Sequence, residues 1–274
     1  IWVIIPAFSI FRLADAQMKT MLPLFYLLAG IYLLFLGLLY LMQRNMLFYP
    51  VPAPINVSAE TINFDNEGVN LQGWRLNRDR PRALVYFGGN AETITGNIPL
   101  FKSLFSDYTI YLVNYRGYGD SEGKPTETAL FSDALAIYDQ IQEQHASISL
   151  FGRSLGSGVA VYLARHRQID QLILLTPYDS LAEVAQTHYP MFPVRYLMKD
   201  RFDSVKYASE ITTPVLIITA ESDRVVPRKH AEILRDRLTG TKVIYRMISG
   251  AGHNDVTDFP GYLQAIENFI ETTR

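Results

Sequence analysis

The sequence predicts an α/β fold with a mostly parallel, eight-stranded sheet, preceded by one N-terminal transmembrane helix. Three patterns lead to this prediction. Residues 21–43 contain no charged side chain. Beyond them, two segments of alternating apolar and polar residues are followed by units in which a strand pattern precedes a helix pattern. Several of the middle strands are almost wholly apolar, which is typical of parallel strands buried on both faces.

The apolar run MLPLFYLLAGIYLLFLGLLYLMQ, residues 21–43, is long enough to cross a membrane, since about 20 helical residues span the hydrocarbon core. Lys19 and Arg44 flank the run, and Tyr26 and Tyr40 lie near its ends, where aromatic rings favour the interface. A buried core helix would show a polar face. A cleaved signal peptide would be followed by a small-x-small site, whereas the residues after this run are bulky. We therefore predict a retained single-pass membrane anchor.

Composition divides the chain into four parts. Residues 1–20 form an N-terminal segment, and because MKT at 18–20 resembles a natural start, the residues before it are expected to be an upstream extension or part of a longer reading frame. The anchor at 21–43 is followed by a proline-rich linker at 44–56. The remaining residues, 57–274, are predicted to form one α/β domain.

The charges around the anchor predict its orientation. Arg12 and Lys19 precede it, partly offset by Asp15, whereas Arg44 alone follows closely. Positive charge favours the cytoplasmic side of a membrane. We therefore predict a cytoplasmic N-terminus and an α/β domain on the non-cytoplasmic side.

The α/β domain begins with strand patterns at 61–64 and 69–76, whose alternation predicts an antiparallel edge with one exposed face. Further strands are predicted at 83–88, 109–115, 147–152, 171–176, 214–220 and 242–248. Helices are predicted at 97–105, 127–145, 157–167, 228–238 and 261–273. Because most of these helices lie between consecutive strands, the sheet is expected to be doubly wound.

Composition and spacing exclude several classes of function. The 274 residues carry a formal net charge of −2, so we expect no nucleic-acid partner. The chain has no cysteine, which rules out disulfides, zinc–thiolate sites and iron–sulfur clusters. No P-loop or His/Glu metal-binding spacing occurs, and GYGDSEG at 117–123 has the wrong spacing for a dinucleotide loop. We therefore predict neither a metal nor an organic cofactor.

Three glycines surround one serine in LFGRSLGSGVA, residues 150–160. Glycine costs about 0.5–1 kcal/mol relative to alanine inside a strand or helix, so this position must require it. GRSLG matches the G-x-S-x-G nucleophile elbow and lies between a buried strand and a helix, which is the context that the motif needs. Gly152 and Gly156 would let the strand and helix fold back on each other. We predict Ser154 as the catalytic nucleophile.

A serine nucleophile needs a base, and the chain has five histidines. His145, His166 and His230 are predicted to face solvent on helices, whereas His188 lies in an irregular segment that could line a pocket. His253 lies in SGAGHND after the last strand, in a glycine-rich loop that can carry its ring over the sheet edge. We predict His253 as the general base.

The acid that orients the base is predicted to be Asp223, which follows a strand at the same edge of the sheet. The chain order serine, aspartate, histidine is that of α/β-hydrolases. Asp223 would also make an ordinary turn and helix cap. Its rivals are Asp179, after the preceding strand, and Asp255 and Asp258, which are too close to His253 in sequence to be natural partners.

Two backbone N–H groups are predicted to form an oxyanion hole. One is the N–H of Leu155, beside the N-terminus of the helix after the serine, where N–H groups are free and the helix dipole is positive. The second donor is expected from YFGGNAET at 86–93, with the N–H of Asn90 favoured and that of Ala91 the alternative. A bare tight turn remains another interpretation of this loop.

Residues 177–211, between two predicted strands, are too few for a large lid. They contain tyrosine, phenylalanine and methionine at intervals. We predict a small cap whose aromatic side chains line an acyl pocket. A surface connection with one or two helices is the alternative.

The motifs FGGNAE, NYRGYGDSEGKPTE, GRSLGSG, ESDRVVP and GAGHND together resemble a membrane-anchored branch of the α/β-hydrolases. This branch includes depalmitoylase-like and lysophospholipase-like enzymes and is grouped with the serine aminopeptidases. The resemblance covers the chain from about Asn45. The family usually has His-Gly-Asn in the oxyanion loop, where this chain has Gly88-Gly89-Asn90, so another group must take the structural role of the histidine.

The resemblance implies a serine hydrolase that cleaves esters or thioesters through an acyl-Ser154 intermediate. Its expected partners are a small-molecule or lipid acyl substrate and, through the anchor, a membrane. A peptidase with the same machinery is an alternative; it needs an acidic pocket for a free amino group, for which Glu92 or Glu221 could serve. A non-catalytic membrane binding protein is the third hypothesis, and an intact triad argues against it.

Overall fold

The structure is a computed structural model that describes residues 7–55 and 57–273. It divides into two compact units, Ile1–Met46 and Leu47–Arg274. The upstream extension predicted from the sequence lies partly outside the described residues, because it includes residues 1–6.

The first unit is formed by α1, Ala7–Leu47, a helix of 41 residues that continues one residue into the second unit. Within it, Met21–Leu47 is long and apolar enough to cross a membrane by length and composition. The predicted span at 21–43 lies inside this stretch. The helix therefore fits a single-pass membrane anchor or a signal sequence.

The second unit is built on an eight-stranded sheet with the strand order β1-β2-β4-β3-β5-β6-β7-β8. Its strands are β1 Glu60–Asn66, β2 Val69–Leu76, β3 Arg82–Phe87, β4 Tyr108–Val113, β5 Ser147–Arg153, β6 Leu172–Leu175, β7 Val215–Ala220 and β8 Val243–Ile248. β2 runs antiparallel to both β1 and β4, and the remaining pairs are parallel. The predicted eight-stranded, mostly parallel sheet with an antiparallel edge is confirmed.

Helices cover both faces of the sheet, as the apolar middle strands require. The helices are α2 Ile98–Leu104, α3 Glu127–Ile141, α4 Leu155–His166, α5 Leu181–His188, α6 Val194–Leu197, α7 Val205–Ala208, α8 Arg228–Arg237 and α9 Pro260–Thr272. Successive residues of β3 alternate between two apolar clusters, with Val85 in one and Leu84 in the other. The first cluster is completed by α3, α4 and α8, and the second by α2 and α9.

Three of these helices, α5 to α7, lie in the segment between β6 and β7 that was predicted as a cap at 177–211. Tyr178 and Phe202 of this segment are fully buried, and both contact α4 where Gly158 leaves room for them. The Tyr178 hydroxyl donates to the carbonyl oxygen of Leu155 at 3.1 Å. The connection is therefore fixed to the helix that follows Ser154.

Candidate active site

Ser154 occupies the sharp turn between β5 and α4. Its φ of 49° and ψ of −115° are strained for a non-glycine residue. A Cβ at Gly152 would lie 2.5 Å from the carbonyl oxygen of Gly156, and a Cβ at Gly156 would overlap the carbonyl oxygen of Phe87. Both glycines are therefore required by close backbone approach. The second brings α4 directly against the end of β3, where the predicted oxyanion loop begins.

The structure brings Ser154, His253 and Asp223 together. His253 Nε2 lies 3.0 Å from Ser154 Oγ, and His253 Nδ1 lies 2.7 Å from Asp223 Oδ2. The imidazole is almost fully buried, and so is the carboxylate. This chain of contacts matches the arrangement in which a base takes the proton of a serine while a carboxylate holds the other ring nitrogen.

Asp223 makes the contacts that each of the two roles considered for it requires. Its Oδ1 accepts hydrogen bonds from the backbone N–H groups of Val225 and Val226, at 2.9 and 2.7 Å. Its Oδ2 is left for His253. The turn therefore fixes the carboxylate in the orientation that the histidine needs. The rival Asp255 instead caps its own loop by accepting from the N–H of Gly252 at 2.6 Å.

Two predictions about the other histidines are wrong. His230 is only 2% exposed, and its Nδ1 lies 2.8 Å from Oδ1 of the buried Asp179. His145 is half-buried, and its Nε2 lies 2.8 Å from the Tyr111 hydroxyl. Their helix patterns were polar, but both rings contact residues distant in sequence.

The remaining two histidines are exposed. His166 ends α4, as predicted. His188 ends α5 rather than lying in an irregular segment, and its Nε2 lies 2.9 Å from the carbonyl oxygen of Val225.

The predicted oxyanion loop lies beside Ser154. A Cβ at Gly89 would be 3.7 Å from the Cβ of Ser154. Ala91 has a φ of 57°, so the chain turns sharply just after Asn90. Within the described residues, no hydrogen bond occupies the backbone N–H of Asn90. Leu155 is the first residue of α4, where backbone N–H groups have no intrahelical acceptor.

Gly88 stands where the family usually has histidine, and the structure leaves no room for a side chain there. A Cβ at this position would lie 2.5 Å from Cγ2 of Ile94. The loop is held instead by Tyr115, whose hydroxyl donates to the Gly88 carbonyl oxygen at 2.7 Å. Burial raises the pKa of Tyr115 well above its usual value, so the phenol keeps the proton that it donates.

Glu92 connects the oxyanion loop to the nucleophile turn, a role that the sequence did not suggest. Its carboxylate accepts from the N–H of Gly89 at 2.5 Å, the Tyr86 hydroxyl at 2.8 Å and Asn97 Nδ2 at 2.7 Å. Arg153, the residue before Ser154, lies 3.3 Å from the same carboxylate. The only signal in the sequence was Arg153, a charged residue at the end of the buried strand β5.

Within the described residues, no group of three histidine or carboxylate side chains is placed to bind a metal ion.

The loop at 114–123 is braced by Arg116, which forms an ion pair with Asp133, and by Asp120, whose Oδ2 accepts from Gln72 Nε2 at 2.9 Å.

Comparison with known proteins places this chain among hydrolases. Residues 79–199 match the family described as serine aminopeptidase, S33. An uncharacterized protein of Mycobacterium tuberculosis is 32% identical over 248 residues, which cover 84% of this chain and 88% of that protein. Protein bem46 of Schizosaccharomyces pombe is 26% identical over 268 residues, covering 87% of this chain and 89% of that protein.

A lipase is also among the relatives. The lysophosphatidylserine lipase ABHD12 of Danio rerio is 36% identical over 182 residues. The match covers 58% of this chain and 48% of the lipase, so it spans about half of that protein.

Solved esterase structures share the fold. An esterase of Pyrococcus furiosus superposes with a TM-score of 0.66 at 18% identity, covering 82% of this chain and 99% of the esterase. Est1E of Butyrivibrio proteoclasticus, with ferulic acid bound, gives a TM-score of 0.63 at 18% identity over 77% of this chain and 98% of Est1E.

Proposed function

Because this chain belongs to the α/β-hydrolase superfamily, we propose that it is a serine hydrolase that cleaves ester or thioester bonds through an acyl intermediate on Ser154. The observation that carries the proposal is the continuous contact from Ser154 Oγ through His253 to Asp223, with distances of 3.0 and 2.7 Å. These groups lie on three separate loops at the carboxyl edge of the sheet. Such a chain of contacts is what activates a serine hydroxyl.

In the proposed reaction, His253 Nε2 takes the proton of Ser154 as Oγ attacks the substrate carbonyl carbon. Asp223 holds Nδ1–H and stabilises the imidazolium that forms. The oxygen of the tetrahedral intermediate receives hydrogen bonds from the N–H groups of Asn90 and Leu155. The imidazolium then protonates the departing alcohol or thiol, which leaves an acyl-serine. Water, deprotonated by His253, attacks this ester, and the collapse of the second intermediate releases the acid and the serine.

Ester or thioester substrates of small or lipid-derived acyl groups fit the chain better than peptides. One relative is named a lysophosphatidylserine lipase, and α1 fits a membrane anchor. The aminopeptidase alternative, favoured by the family description, needs a free carboxylate for the substrate amino group. Glu92 already has three hydrogen-bond donors and an arginine, and Glu221 accepts from the N–H of Gly250 at 2.8 Å.

A fluorophosphonate probe tests the proposal and separates it from a non-catalytic binding protein. The full chain in detergent should be labelled on Ser154 and should hydrolyse short p-nitrophenyl esters, and Ser154→Ala should abolish both. Ser149→Ala is the matched control: it removes a buried serine hydroxyl of β5, the strand before Ser154, that has no hydrogen-bond partner among the described residues. Labelling that survives Ser154→Ala would place the nucleophile elsewhere.

We further propose that α1 anchors the protein in a membrane with the catalytic domain on the non-cytoplasmic side. The basis is the excess of Arg12 and Lys19 before the apolar stretch over Arg44 after it. In a bacterial host, alkaline phosphatase fused to the C-terminus should be active. An inactive fusion, with an active cytoplasmic reporter at the same site, would reverse the orientation.

A further inference from the structure

The segment at the C-terminal end of α1 is part of the second unit. We call residues 47–51 the exit segment; it begins at the last residue of α1 and is grouped with the domain rather than with the helix. Phe48 is only 4% exposed, and its ring lies edge-on to that of Phe202 with a centroid distance of 6.4 Å. The carbonyl oxygen of Val51 accepts from the N–H of Gly119 at 2.9 Å. The exit segment is therefore packed and hydrogen-bonded as part of the domain.

The side chain of Asn90 binds the backbone of the exit segment on both sides of Phe48. Its Nδ2 donates to the carbonyl oxygen of Leu47 at 2.6 Å, and its Oδ1 accepts from the N–H of Tyr49 at 3.0 Å. The Tyr118 hydroxyl donates to the same Oδ1 at 2.8 Å. Only an amide offers both a donor and an acceptor in this geometry. An aspartate would turn a carboxylate oxygen toward the Leu47 carbonyl.

Tyr118 strengthens this connection from the other side. Its hydroxyl oxygen also lies 3.1 Å from the backbone N of Tyr49, so it accepts from the exit segment while it donates to Asn90. Burial raises the pKa of the Tyr118 phenol, which therefore remains a donor throughout the range in which an esterase is assayed. The Asn90 amide, the Tyr118 hydroxyl, the Leu47 carbonyl oxygen and the Tyr49 N–H therefore form one connected set of hydrogen bonds.

The same asparagine carries the backbone N–H assigned above to the oxyanion. That N–H belongs to a loop whose next residue, Ala91, has a φ of 57°, so its direction depends on how the loop is held. Glu92 and Tyr115 hold the loop at Gly89 and Gly88, and the exit segment holds it at Asn90. An oxyanion donor contributes only when it is already aimed at the developing charge.

We propose that the exit segment is a positioning element of the active site, which aims the Asn90 N–H at the oxyanion through the Asn90 and Tyr118 side chains. The proposal rests on the proposed function, because it gives that N–H a catalytic role. Asn90 and Tyr118 act here through their side chains as positioning residues. The segment that follows the membrane anchor then belongs to the catalytic machinery rather than to a linker.

The test compares variants of the full chain in detergent. Asn90→Asp should lower kcat on a short p-nitrophenyl ester by about 100-fold, the loss expected when one oxyanion donor is misdirected. Tyr118→Phe should lower kcat by about tenfold, since it removes one hydrogen bond of the cluster. KM should be unchanged in both, because the oxyanion forms only after the substrate binds.

Tyr138→Phe is the matched control for lost stability. Tyr138 lies on α3, away from the site. The variant removes another part-buried tyrosine hydroxyl, which donates to the carbonyl oxygen of Gln168 at 2.5 Å. Its Tm should fall as in Tyr118→Phe while its kcat stays at the wild-type value. An equal fall of kcat in the control would overturn the proposal, because the effect would then follow stability.

Fluorophosphonate labelling separates this proposal from the proposed function. If the wild-type chain is not labelled at Ser154, the proposed function fails. If Ser154 is labelled but kcat is unchanged in Asn90→Asp and Tyr118→Phe, only the positioning role fails. If Asn90→Asp does not fold, Tyr118→Phe alone decides, and an unchanged kcat overturns the proposal.

Discussion

The described part of the domain contains two Asp–His pairs. Their Asp–Nδ1 contacts are nearly identical, whereas the groups beside Nε2 of the two histidines differ. His253 Nδ1 lies 2.7 Å from Asp223, and His230 Nδ1 lies 2.8 Å from Asp179. Each aspartate follows a strand of the parallel sheet at its carboxyl edge, β7 for the first and β6 for the second. A search of the structure for a carboxylate within hydrogen-bond distance of an imidazole would return both.

The hydroxyl group at the far nitrogen distinguishes them. His253 Nε2 faces Ser154 Oγ at 3.0 Å, and within the described residues that Oγ has no other hydrogen-bond partner. His230 Nε2 faces Thr187 Oγ1 at 3.2 Å, but this hydroxyl also donates to the Glu183 carbonyl oxygen at 3.0 Å. A hydroxyl has one proton to give.

The proton count therefore assigns different roles to the two rings. The Thr187 hydroxyl already donates to the Glu183 carbonyl oxygen, so its proton is directed away from His230. The His230 ring, held between Thr187 and Asp179, ties α5 to α8. An Asp–His pair can act as a base on a hydroxyl only where the proton of that hydroxyl has no other acceptor, and the strained turn at Ser154 places such a hydroxyl beside His253.

The largest expected difference between the pairs is in turnover. Asp223→Asn should lower kcat by about 10⁴-fold, as when a triad aspartate is amidated and the wrong tautomer of the histidine is favoured. Asp179→Asn should leave kcat close to wild type, because its histidine does not contact Ser154. Rates on a p-nitrophenyl ester, measured on proteins shown to be folded by circular dichroism, check both. The reverse order would make the aspartate after β6 the catalytic acid.

Stability should show the opposite ranking, with a smaller effect. His230→Asn leaves the buried Asp179 carboxylate with one remaining donor, the Ser180 N–H at 2.7 Å, and should lower the free energy of unfolding by about 1–3 kcal/mol. His253→Asn should cost less, because Asp223 retains the N–H groups of Val225 and Val226.

Urea unfolding of the two variants in the same detergent measures the difference between them. Equal losses of unfolding free energy would mean that the His230–Asp179 pair contributes no more to stability than the His253–Asp223 pair.

Most of the fold follows from local patterns, and for that reason the sequence predicted it. Apolar runs and their spacing located all eight strands to within a few residues. α4 begins at Leu155, before its predicted start at residue 157, because the glycine-rich turn passes directly into helix. Two of the three short helices between β6 and β7 have only four residues, too few to show an apolar periodicity, and the Tyr178 and Phe202 side chains that contact α4 lie outside all three helices.

The site divides in the same way. The elbow motif and the rule that parallel strands end at one edge predicted that Ser154, Asp223 and His253 lie together, and the structure brings them together; their chemical roles stay predictions. The burial of His230 could not be predicted, because its partner Asp179 is 51 positions away and its own helix is strongly polar. The contact of Asn90 with Leu47, 43 positions away, likewise leaves no local pattern.

The smallest expected effect concerns Thr187, the residue that occupies the place of the serine in the second pair. Thr187→Val removes the hydroxyl while keeping the branched shape, and should lower the free energy of unfolding by at most about 1 kcal/mol, with kcat unchanged. In a Ser154→Ala background, Thr187 should not react with a fluorophosphonate although Asp179 and His230 are intact, because its proton is directed to the Glu183 carbonyl. Peptide mapping of the treated protein provides the measurement. A phosphonate on Thr187 would show that the second pair also acts as a base, and the proton count that separates the two pairs would be wrong.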